Sequence, residues 1–107
     1  MLSDSIKYQG RNFLTTKQLA VLFNVEQKIV SRNFQRNSHR YEEGRHYIVL
    51  KGAILKEFKK LTEQKELLKF VSVLYLWTKE GSTLLAKSCT SNQTWEALDS
   101  KLEDAFQ

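Results

Sequence analysis

The stretch "TTKQLAVLFNVEQKIVSRNFQRN", Thr15 to Asn37, constrains the fold more than any other part of the 107-residue chain. Leu19, Ala20, Leu22 and Phe23 recur at the spacing of a short helix. Thr15 or Thr16 can cap that helix, because a hydroxyl there accepts a bond from a backbone N–H two or three residues on. Asn24 interrupts the pattern, and asparagine tolerates the left-handed turn conformation better than most residues. A second helix is expected from Glu26 to Tyr41, buried through Val30, Phe34 and Tyr41. A small residue at a helix approach, a tight turn and an apolar lock on the second helix are what a helix-turn-helix needs. Ala20, Asn24 and Val30 stand at those three places.

A wheel of about 100° per residue separates the faces of the second helix. With Lys28 at zero, Val30, Phe34, Asn37 and Tyr41 fall near about 200°, while Ser31, Arg32, Gln35 and Arg36 fall within about 80° of Lys28. That outer face holds side chains able to donate to guanine edges, adenine edges and phosphates. Solvated helical faces usually interleave acidic with basic residues to gain local pairs. Here Glu26 alone is acidic between Val25 and Tyr41, and it stands at the helix N-terminus, where the dipole favours it. The expected DNA-binding set is Thr15, Thr16, Lys17, Gln27, Lys28, Ser31, Arg32, Gln35, Arg36 and Arg40. Within it Lys28, Ser31, Arg32 and Gln35 face base edges, while Arg36, Arg40 and the residues Thr15 to Lys17 face phosphates.

Charge distribution supports that partner. The chain carries a formal net charge of +5. Residues 1–60 hold 12 Lys/Arg against 5 Asp/Glu, and residues 61–107 hold 5 against 7. A concentrated positive field draws polyanions, which makes double-stranded DNA the leading partner. A second reading keeps the same electrostatics for an acidic protein surface: a small protein-binding module. One short recognition helix offers few base contacts, so a homodimer on two half-sites is also expected, formed through the near-neutral C-terminal part.

The remainder reads as a helical domain with a small antiparallel sheet, an α+β fold in one unit over residues 1–107, with the helix-turn-helix at about 16–41 and the sheet and C-terminal helices at 42–107. "IKYQGRNFL" alternates around Gln9-Gly10 as a hairpin anchored by Ile6, Tyr8, Phe13 and Leu14. A turn at Gly44 leads to a strand from His46 to Leu50. Ala53 to Lys69 reads as a Lys/Glu-rich helix with Leu55, Phe58 and Leu61 inward, and "VSVLYLW", Val71 to Trp77, is the strongest strand signal. Two closing helices follow. The last is capped by Ser91, Asn92 or Thr94 and buries Trp95, Leu98, Leu102 and Phe106.

Other chemistry has little support. His39 and His46 lie seven residues apart across a turn and Cys89 is remote from both, so neither a metal site nor a disulfide is expected. Asp99, Glu103 and Asp104 read as the solvated side of a helix, Trp77 and Trp95 as core. No Gly-rich phosphate loop occurs. The chain is expected to be no enzyme, to need no cofactor, to span no membrane and to work in a reducing cytoplasm.

The pieces "FLTTKQLAVLFNV", "IVSRNFQRNSHRYEEGRHYIVL", "LYLWTKEGSTLLAKS" and "TWEALDSKLEDAF" together resemble the phage and prophage ORF-six-N domain, related to the KilA-N DNA-binding modules. The pairing of "RNFQRN…GRHY" with "LWTKEG…AKS" is more specific than either part. "CTSNQTW", Thr83 and Leu85 depart from the family's pattern. The resemblance implies a sequence-reading module of phage regulatory proteins, antirepressors included, often heading a longer protein with a second effector domain; it also makes the host cytoplasm bacterial and the partner of the protein-binding reading a host or phage regulator. It also implies that Gly44 to Tyr47 lies in one sheet with Leu74 to Trp77.

Overall fold

The computed structural model describes residues 5–61, 70–89 and 95–106, the side chains of Leu61 and residues 95–97 excepted. Strands β1 (Ile6–Tyr8) and β2 (Arg11–Thr15) pair antiparallel, with Ile6 opposite Phe13 and Tyr8 opposite Arg11. Both turn residues, Gln9 (φ 52°) and Gly10 (φ 77°), adopt positive φ. That backbone matches the twist of the flanking strands in a two-residue hairpin.

Thr15 ends β2 and caps helix α1 (Thr16–Phe23). The Gln18 N–H donates to Thr15 Oγ1 (3.1 Å) and the Thr15 N–H donates to Gln18 Oε1 (2.8 Å), a reciprocal capping box. Asn24 closes α1 in the left-handed conformation (φ 57°, ψ 46°), and the Val25 N–H donates back to the Ala20 carbonyl (3.0 Å). Helix α2 (Gln27–Arg36) follows after three residues.

This second helix is shorter than its periodicity suggests. The Asn33 amide donates to the Ile29 carbonyl and the Asn37 amide to the Asn33 carbonyl, each at 2.9 Å. Asn, Ser and His are poor helix formers whose side chains compete for backbone groups. After Asn37 the chain tightens into a 3₁₀ turn, Ser38–Arg40. Tyr41 still reaches the core, but in an extended conformation.

The loop Glu42–His46 leads to β3 (Tyr47–Lys51), helix α3 (Gly52–Leu61), strand β4 (Val73–Trp77), helix α4 (Lys79–Cys89) and helix α5 (Trp95–Ala105). The sheet order is β1-β2-β4-β3, every neighbour antiparallel, and Tyr47 pairs with Trp77; Gly44 to His46, expected in the same sheet, instead form the turn before β3, where His46 bonds back to the Glu42 backbone through both its N–H and its ring. The expected continuation of α3 to Lys69, the burial of Leu61 and Trp95 and the cap at Ser91, Asn92 or Thr94 fall outside the described residues.

β4 shows why "LYLW" is apolar at every position. Side chains alternate along a strand, and here each face meets a core cluster. Leu74 and Leu76 join Ile6, Phe13 and Leu50 under Leu55 and Phe58 of α3. Trp77 joins Leu14 beneath α1, α2, α4 and α5, in a core completed by Phe23, Val30, Leu85, Leu98 and Leu102. Leu85 is fully buried and the Thr83 hydroxyl donates to the Lys79 carbonyl, so the departures at these two positions are absorbed within α4.

Candidate nucleic-acid interface

α2 is held from below and free above. Val30 has no exposed surface, and the Phe34 ring meets Tyr41, Tyr47, Tyr75 and Trp77 edge-on at 5.1–5.6 Å. Edge-to-face aromatic contacts each contribute about 0.5–1.5 kcal/mol beyond burial. They fix both the height and the rotation of the helix. On the opposite side Gln27, Lys28, Arg32, Gln35 and Arg36 are exposed and Ser31 is half-buried. Gln27, Lys28, Ser31, Arg32 and Gln35 together line a shallow groove of about 460 Å³.

The charges on this face are largely uncompensated. Lys28 Nζ stands 3.8 Å from Glu26 Oε2, with both side chains mostly in water, an arrangement of little energetic weight. Among the described residues Arg32 and Arg36 have no ion-pair partner. Lys17 is exposed on the first turn of α1.

Three of the expected contact residues lie elsewhere. Thr15 is buried with its hydroxyl in the α1 cap. The Thr16 hydroxyl accepts the Trp77 indole N–H at 3.0 Å. Both hydroxyls accept a bond within the fold, which leaves their O–H donors; burial withdraws the one on Thr15, while Thr16 is only half-buried. Arg40 leaves the outer face of α2 because the α-helix stops at Arg36. It lines a separate depression of about 510 Å³ with Glu42, Arg45, His46, Lys79, Glu80, Thr83 and Leu84.

That depression is built from paired charges. Arg45 donates from Nε to Glu80 Oε2 (2.9 Å) and from Nη1 to Glu42 Oε1 (3.3 Å), and its Nη2 lies 2.7 Å from Glu80 Oε2. The hydrogen bond from Arg45 is the main cause holding the Glu80 carboxyl below its usual range, partial desolvation working against it. Lys79 pairs with Glu103. Beneath them His46 is buried, its Nδ1 accepting the Glu42 N–H (2.9 Å) and its carbonyl accepting the Thr78 N–H (3.0 Å) and hydroxyl (3.1 Å). Gly81 of α4 presses on that carbonyl so closely that a Cβ would stand 2.7 Å from the His46 carbonyl carbon. The cue in the sequence was a glycine inside an otherwise helical run, costly unless something packs there.

No metal chemistry gathers around these groups: among the described residues no three of His, Cys, Asp and Glu converge as metal ligands. Burial pushes the Cys89 thiol up to about 11, so it stays protonated and weakly nucleophilic. No helix of the described residues is long and apolar enough to cross a membrane.

A protein-family model described as the ORF6N domain matches residues 3–88. The chain belongs to the ORF6N domain family. This ORF6N match takes in both helices of the candidate interface, all four strands and α4 through Ser88, and supports a phage-type regulatory association. It stops short of α5, so "TWEALDSKLEDAF" lies outside the matched region even though Leu98 and Leu102 complete the ORF6N core. No curated protein and no solved structure matches the chain.

Proposed function

We propose that this ORF6N domain binds double-stranded DNA sequence-specifically as part of a phage-type, antirepressor-like regulator in the bacterial cytoplasm. In this reading α1 and α2 act as a helix-turn-helix, with α2 in the major groove. The carrying observation is the outer face of α2: Gln27, Lys28, Ser31, Arg32, Gln35 and Arg36 stand together, with no acidic side chain among them and with Arg32 and Arg36 unpaired among the described residues. A planar guanidinium can bond two acceptors of one guanine, and glutamine can do the same on adenine. Lys17 supplies a phosphate contact from α1. The reading includes no enzymatic activity, and two copies on two half-sites would supply the contacts that one short helix lacks.

Selection of bound sequences from random duplex DNA, followed by titration across salt concentrations, tests it. Affinity for the selected site should fall log-linearly with salt. Arg32→Ala should cost on the order of 1–3 kcal/mol on that site and relax preference at one base pair. Arg40 lies off the outer face of α2 but is exposed and in no ion pair among the described residues, so Arg40→Ala should weaken all sequences similarly and lower the salt slope by about 1. A folded Arg32→Ala protein that binds the selected site as tightly as the parent would end this reading and leave capture of a host or phage regulator as the better one.

A further inference from the structure

The sheet face on which Phe34 rests is covered at one end and open at the other. Tyr47, Val49 and Lys51 of β3 share this face with Trp77, Tyr75 and Val73 of β4, each opposite its partner in the register. Trp77 is fully covered by the helices, whereas Tyr47, Val49 and Tyr75 are half-buried and Val73 and Lys51 are exposed. The Tyr47 and Tyr75 rings lie 5.7 Å apart, tilted by 31°, immediately beside Phe34. Among the described residues neither phenol oxygen has a hydrogen-bond partner. Burial, reinforced by Glu43 and Tyr75, holds the Tyr47 phenol above its ordinary pKa, so it remains a donor at any physiological pH.

A helix with its side chains is about 10–12 Å across, and the major groove is about 8.5 Å deep. A helix seated in that groove therefore brings the surface beside and below it against the sugar-phosphate ridge that borders the groove. The open half of this sheet face adjoins α2 from below, where Tyr47 and Tyr75 meet Phe34. Tyrosine hydroxyls and lysines commonly contact phosphates and set register without reading sequence. Tyr47 and Lys51 are four residues apart on one strand, so the donors run along a line of about 13 Å.

We propose that Tyr47, Tyr75 and Lys51 form a second contact surface that takes the phosphates of one DNA strand bordering the groove entered by α2. The proposal rests on the DNA reading above and adds a surface to it. Glu43, bridged to Tyr47, is the opposing charge at the edge of this surface and limits its affinity.

The test compares Y47F/Y75F, K51Q and E43Q on the selected duplex and on an unrelated duplex, at several salt concentrations. Phenylalanine keeps the rings against Phe34 and removes only the hydroxyls. The double variant should weaken binding to both duplexes by about tenfold, the scale of two net hydrogen bonds, without changing the salt slope. K51Q should weaken both duplexes and lower the slope by about 1, and E43Q should tighten both. Lys51 is exposed, so K51Q stays informative if the phenylalanines disturb folding. Parent-like binding by both Y47F/Y75F and K51Q, with Arg32→Ala still impaired, overturns this surface alone. If the parent protein binds no duplex at low salt, the DNA reading falls and this surface with it.

Discussion

The outer face of α2 and the depression behind its C-terminal end are built from the same kinds of residue in opposite states. On the outer face Arg32 and Arg36 stand unpaired among the described residues, and Lys28 is loosely placed against Glu26. In the depression Arg45 forks between Glu42 and Glu80, and Lys79 is taken by Glu103. A cation neutralised within the chain has little left for a polyanion. What Arg45 does instead is clip the loop before β3 to the first turn of α4. Arg40 marks the boundary: its four-residue step from Arg36 groups it with the first surface, and the 3₁₀ turn delivers it to the second.

The hardest way to break this contrast is Gly81→Ala. The new methyl would collide with the His46 carbonyl, which also anchors Thr78, and two backbones cannot easily move apart. A loss of about 3 kcal/mol, at the upper end of overpacking costs, is expected in a urea midpoint. The depression should fail first, and hydrogen exchange should show the loop Glu42–His46 opening. Phe34→Ala attacks the other surface. Removing a half-buried ring with four aromatic neighbours should cost about 2–3 kcal/mol. It should also weaken DNA binding at temperatures where the protein is still folded, because α2 loses the contacts that set its rotation.

The smallest effect sharpens the comparison through pH. The Glu80 carboxyl is held below its usual range chiefly by the Arg45 hydrogen bond. Its folded value is depressed, so the stability it brings is fully present above the ordinary carboxylate range and is lost as pH falls through the lowered value. Urea midpoints measured from about pH 7 down to about pH 3 should therefore fall less steeply for Glu80→Gln than for the parent. Since both partners are exposed, the neutral-pH difference should be slight. Equal slopes would mean that Arg45 and Glu80 act independently.

Much of the interface region was legible because its determinants are neighbours in sequence. Thr15 and Gln18 cap each other across three residues, Gln9-Gly10 turns one hairpin, and Asn24 closes α1 with bonds to residues three and four back. The periodicity that put Val30 and Phe34 inward left Lys28, Arg32, Gln35 and Arg36 outward, as found. The end of α2 was harder to see, since a 3.6-residue pattern running on to Tyr41 does not reveal that two asparagine amides compete for backbone carbonyls.

By itself the sequence determined the order of the elements, their caps and turns, the inner and outer faces of α2 and the family to which the chain belongs. All of these follow from hydrogen bonds and side-chain spacings that span a few residues, or from a pattern of such features along the chain. Tertiary structure decided what each polar group is free to do. The Thr16 hydroxyl accepts an indole N–H from 61 residues away, and Arg45 donates to a carboxylate 35 residues away. Gly81 is required by a carbonyl from another element, and two tyrosines from separate strands meet beside α2. A side chain's donors and charges belong to its type. Whether they are already satisfied depends on partners that only the folded chain brings within about 3 Å.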